Sequence, residues 1–133
     1  MRSTRLRRCQ DRQRSCARVV GRSGYRPGMR YFHCTLVHGP AWDSTRGIRE
    51  QDGWAAHAAF MDGLVADGFL VVGGPVGAGD VTAHLIHAAD VDHVRARLAE
   101  DPWAADGHLE IGSLEPWALW LDGLALGSSA ATG

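Results

Sequence analysis

Trp54, His57, Met61 and Leu64 follow one another at intervals of three, four and three residues, so a helix carries all four on one face. A histidine inside such an apolar stripe must find a hydrogen-bond partner or do chemistry. A partner that fixes one ring nitrogen leaves the other free to take or give a proton. The other chemistry-bearing residues compete weakly. His84 and His87 stand an odd number of positions apart, so in a strand they point to opposite faces and form no ligand pair. At least one of them is expected in solvent. Cysteines 9, 16 and 34 are odd in number and show no CxxC or His/Cys spacing, which argues against a disulfide framework and a zinc site. Cys34 reads as a buried structural thiol rather than a nucleophile. No metal and no cofactor is expected, and a cytoplasmic location is the default.

The chain that must position His57 has 133 residues and is 45% hydrophobic, enough for one globular domain with a modest core. Its charge is split. Residues 1–28 hold nine arginines against Asp11 alone, a net of about +8, while the remainder holds five arginines and fourteen acids, about −9. There is no lysine. The basic arm lacks the aromatic interleaving and amphipathic period of a nucleic-acid binder, so nucleic acid is not the expected partner. It reads as a disordered extension, or as a stretch upstream of a natural start at Met29. It has no apolar segment of signal-peptide type, and no run in the chain is long enough to span a membrane.

From Met29 the elements follow in order. Residues 31–37 are rich in β-formers, with Phe32, Cys34 and Leu36 as the more apolar set that should face the helices. Residues 38–47 form a loop in which Trp42 either covers a pocket or packs over the next helix, the second role being favoured. A first helix is expected over residues 48–67, closed by Gly68. Residues 69–73 form a second strand, which Gly74 and Pro75 break into a glycine-rich turn. No nucleotide-loop signature follows it. Residues 81–88 form a third strand. Asp90 caps a second helix over residues 91–100, which must stop before Pro102. Residues 101–107 make a compact turn anchored by Trp103. Residues 108–115 make a fourth strand with Leu109, Ile111 and Ser113 on one face. The domain spans residues 29–123, and residues 124–133 are a flexible tail.

The order β-α-β-β-α-β predicts an α+β split βαβ fold, a four-stranded antiparallel sheet with two helices on one face. The other face needs cover, and a homodimer through the sheets is the simplest way to supply it.

Several short pieces then carry a resemblance. They are Met29-Arg30-Tyr31-Phe32, Gln51, His57 with Phe60-Met61, Gly68 with Leu70, Gly73-Gly74-Pro75, Asp101-Pro102 with Gly107, and Glu115-Pro116-Trp117. In this order and spacing, residues 29–121 resemble the YCII-related proteins. The resemblance implies a ferredoxin-like fold assembled as a dimeric α/β barrel. It also implies an active-site dyad made of His57 and Asp101, with Gln51, Trp54, Gly74 and Pro75 around the ligand. The activity associated with the family is a cofactor-free dehydrochlorination of a chlorinated hydroxyquinol. Some members are fused to transcription-factor domains as ligand sensors. Several members carry an arginine three residues before the histidine, where this chain has Trp54, which suits an apolar or aromatic substrate better than an anion. The expected function is small-molecule binding with proton transfer of lyase or isomerase type. The alternative is a non-catalytic ligand-binding or interaction domain that uses the same cleft.

Overall fold

The computed structural model describes residues 28–126. The expected disorder of the basic arm, and of the tail beyond Leu126, concerns residues outside that range. Residues 29–118 form one compact unit. Residues 119–126 belong with a second and hold no helix or strand, and the Asp122 carboxylate there accepts from the Leu126 amide at 2.9 Å. Among the described residues no helix is long and apolar enough to cross a membrane.

The first unit is α+β. Its strands are β1 (Arg30–His38), β2 (Leu70–Val76), β3 (Val81–Ala88) and β4 (Leu109–Pro116). Its helices are α1 (Trp54–Ala66), α2 (Val91–Leu98) and the short α3 (Pro102–Asp106). The sheet order is β2-β3-β1-β4, and every pairing is antiparallel.

Alternation in β1 sets the core. Phe32, Cys34 and Leu36 are buried and meet Leu64 of α1, Leu70, Ile86, and Val94 and Leu98 of α2. Each such side chain contributes about 1.5–3 kcal/mol by leaving water. The Asp90 cap forms as expected, its carboxylate accepting from the His93 amide at 2.8 Å.

Four local expectations are corrected. The first helix begins at Trp54 rather than residue 48. Residues Ile48–Glu50 form a separate 3-10 turn, and Gly53 at φ +82° breaks the helical path between them. Gly73, Gly74 and Pro75 do not end β2 but continue it, paired with His84, Ala83 and Thr82. Pro75 is tolerated because β2 is an edge strand. Residues 102–106 are helical, with Pro102 at the first position, where its missing N–H costs nothing. Ser113 faces away from Ile111. The register skips Gly112, so Ile111 pairs with Leu36 while Ser113 pairs with Thr35 and shares a 2.8 Å hydroxyl hydrogen bond with it.

Candidate functional site

His57 lies in the first turn of α1, and Asp101 is the N-cap of α3. Their side chains meet. His57 Nδ1 is 3.0 Å from Asp101 Oδ1 and 2.9 Å from Oδ2, with both residues buried. Asp101 Oδ1 also accepts from the Trp103 amide at 2.9 Å, so the carboxylate is fixed by the helix it caps. An ionised carboxylate only accepts, so the pair is satisfied with the ring proton on His57 Nδ1, which leaves Nε2 free of Asp101.

Trp103 supports this arrangement. It is fully buried and stacks on the His57 ring with centroids 4.1 Å apart and planes 11° apart. Its indole N–H donates to the Asp52 carbonyl at 2.7 Å, which ties α3 to the entry of α1. On its other face lies His108, 5.2 Å away and 17° tilted. Trp42 stands edge-on to Trp103 and stacks on His38 at 3.8 Å.

His57 forms part of the wall of a cavity of about 520 Å³. Leu36, Trp42, Ile48, Met61, Pro75 and Leu109 give that wall an apolar character, and His38 and His84 add two further imidazoles. Among the described residues Arg46 is the one arginine or lysine in the lining, and its guanidinium is bonded to Asp43 at 3.1 Å and to Asp52 at 3.3 Å. A second hollow of about 300 Å³ lies behind Asp101, bordered by Arg95, Leu98, Ala104 and Glu110.

The remaining candidates divide. Pro75 lines the larger cavity, while Gln51, Trp54 and Gly74 do not. Trp54 sits 6.0 Å from the His57 ring, with the Arg49 guanidinium 5.9 Å above its own ring. Gln51 is buried and spends its amide on the backbone. Its oxygen accepts from the Asp43 N–H at 3.0 Å, and its nitrogen donates to the carbonyls of Asp43 at 2.7 Å and Arg46 at 3.1 Å. Gln51 therefore shapes the loop that carries Ser44, Arg46 and Ile48 into the cavity wall.

His84 and Trp42 were undervalued from the sequence. The odd spacing correctly sends His84 and His87 to opposite faces, with His87 stacked on Tyr31 at 4.6 Å. His84 takes the buried face beside the dyad. The readable signal was its alternation with Ile86 and Ala88, both buried. Trp42 both packs on Trp103 and lines the cavity. Cys34 is fully buried in the core, and burial pushes its thiol up to about 11, as expected of a structural cysteine. Among the described residues no group of three His, Cys, Asp or Glu is placed to hold a metal ion.

A four-stranded antiparallel sheet, helices over one buried face, and a buried imidazole–carboxylate pair beside an apolar cavity define a small α+β protein. Residues 37–118 match the family model described as YCII-related domain, a stretch that takes in His57, Gly73–Pro75, Asp101 and Trp117. The chain belongs to the YCII-related family. Comparison with curated proteins and with solved structures gave no match.

Proposed function

We propose that the chain binds a small, largely apolar molecule in the cleft beside α1 and moves a proton on it without a cofactor. The observation that carries this reading is that one imidazole both donates to Asp101 and borders the cavity. His57 Nε2 takes a proton from a ligand C–H or O–H, and the bonding electrons stay on the ligand. Asp101 balances the imidazolium that forms. If the proton returns to another atom, the result is an isomerisation. If the electron pair expels a leaving group, the result is an elimination, and His57 releases the proton to solvent. Engagement of Arg46 by two aspartates favours a neutral ligand over an anion.

Dihydroxy and halogenated aromatics form the screening set, because the apolar wall accepts a ring and the dyad needs an acidic proton. His57→Ala should abolish any turnover found while the fold persists by circular dichroism. Acid–base catalysis contributes roughly 10²–10⁴-fold, so a residual rate within tenfold of the parent would remove His57 from the chemistry.

The strand order supports a ferredoxin-like arrangement, and the sheet face away from the helices supports a homodimer that covers it. That face carries Tyr31, His33 and Val72, with Val72 about half exposed. Sedimentation at micromolar concentration tests it, and a monomer would overturn it.

A further inference from the structure

We propose that His84 is a specificity-determining residue of the pocket, its Nε2 accepting a hydrogen bond from an O–H or N–H donor of the ligand. The inference rests on the ligand-pocket reading above and names what the pocket requires of its occupant.

His84 lines the same cavity as His57 and is itself buried. Its Nδ1 lies 3.3 Å from the Cys34 carbonyl oxygen. A carbonyl only accepts, so Nδ1 carries the ring proton. Burial, first, pushes this imidazole below its ordinary value. The bond to Cys34 opposes that shift, and positive charge at His57 or His33 adds to it. The neutral ring therefore has its proton on Nδ1 and a bare lone pair on Nε2. Among the described residues no protein group is bonded to Nε2. A buried acceptor without a partner carries a cost that a ligand donor removes.

The sheet makes room for this ring. Gly73 pairs with His84 across β2 and β3, and a Cβ at residue 73 would fall 2.6 Å from His84 Cδ2. Glycine there leaves the imidazole the space that a side chain at residue 73 would take. The same edge strand brings Pro75 to the cavity wall. Positive charge on His57 adds to the burial that keeps His84 neutral. When His57 takes a proton, His84 stays neutral and keeps hold of its donor. An anion has no donor to offer the bare nitrogen, whereas a neutral hydroxyl satisfies it.

Phenol and anisole provide the probe pair, because they differ by the single O–H donor. Long-range 1H–15N spectra of the full chain report each imidazole nitrogen separately. Phenol should move the unprotonated His84 Nε2 resonance upfield and saturate, whereas anisole should leave it in place. His84→Asn keeps a donor for the Cys34 carbonyl and takes the acceptor away from the Nε2 position, since its amide oxygen reaches less far than the imidazole. It should lower the phenol-to-anisole affinity ratio roughly fivefold, the worth of one net hydrogen bond. If phenol shifts only His57, the proposal falls and the pocket reading stands. If phenol shifts neither ring, both fall. An anisole shift equal to that of phenol, or an unchanged affinity ratio in the variant, also overturns the proposal. The wild-type titration carries the test by itself if the variant does not fold.

Discussion

Trp103 separates two histidine–carboxylate pairs of the same chemistry. On one face, His57 Nδ1 meets Asp101 at 2.9 Å, and on the other His108 Nδ1 meets Asp106 at 2.8 Å. Both imidazoles lie nearly parallel to the indole and both are buried. The carboxylates differ. The Asp101 side chain is 4% exposed and the Asp106 side chain 47%. Partial desolvation nudges Asp106 upward, but its hydrogen bonds with the His108 ring and amide, and the charge on that ring, hold it below the usual carboxylate range. Its field is screened by water all the same. His57 faces the larger cavity, and His108 is not part of that wall. A histidine beside an aspartate is thus a common structural device. It becomes a candidate for chemistry only where the carboxylate is dry and the second nitrogen has a ligand to meet.

Removing the plate between the pairs should have the largest effect. Trp103→Ala takes a fully buried indole from both stacks and breaks the bond to Asp52, so it should cost about 3–5 kcal/mol in denaturant unfolding. A loss under about 1 kcal/mol would mean that the two pairs do not depend on a shared support. Next comes the contrast between the carboxylates. Asp101→Ala strips the cap from α3 and leaves His57 Nδ1 buried without its acceptor, for about 3 kcal/mol. Asp106→Ala should leave the unfolding midpoint nearly unchanged. Equal losses at the two positions would erase the distinction drawn above.

The smallest effect is a pH slope from His84. Its folded pKa lies below the ordinary 6.5, so above that value the ring is neutral in both states and its contribution is complete. As the pH falls through 6.5 the unfolded chain binds the proton first, and stability declines until the folded ring titrates too. His84→Asn should flatten this part of the stability curve. An identical acid limb in both proteins would count against a buried neutral His84.

Much of this was readable from residue order, and the reasons differ by region. Strand β1 carried strict alternation, so Phe32, Cys34 and Leu36 fell on the core side as expected. Asp90 announced α2 through its capping chemistry. The β2 extension was hidden because Gly-Gly-Pro has turn composition, and only an edge position and the ring of His84 explain it as strand. The bulge that turns Ser113 around depends on Gly112, which has no room for a side chain between Thr35 and Val37. His57 stood out by its apolar neighbours. Its meeting with Asp101, forty-four positions away, is a tertiary fact that local periodicity does not encode. Family resemblance supplied that pairing. Neither spacing nor resemblance suggested that His84 borders the same cavity.

Gln51 has a consequence for how this pocket can diverge. Its amide reads both polarities of the backbone, accepting from Asp43 N–H while donating to the Asp43 and Arg46 carbonyls. Glutamate has the right length and the wrong inventory, since a carboxylate would face two carbonyl oxygens. Asparagine has the right inventory and too short a reach. Side chains of the cavity wall carry no such demand on the backbone, whereas position 51 is tied to one amino acid by its hydrogen bonds. The cavity wall can therefore change its side chains without loss of the loop that frames it, provided that one amide stays in place.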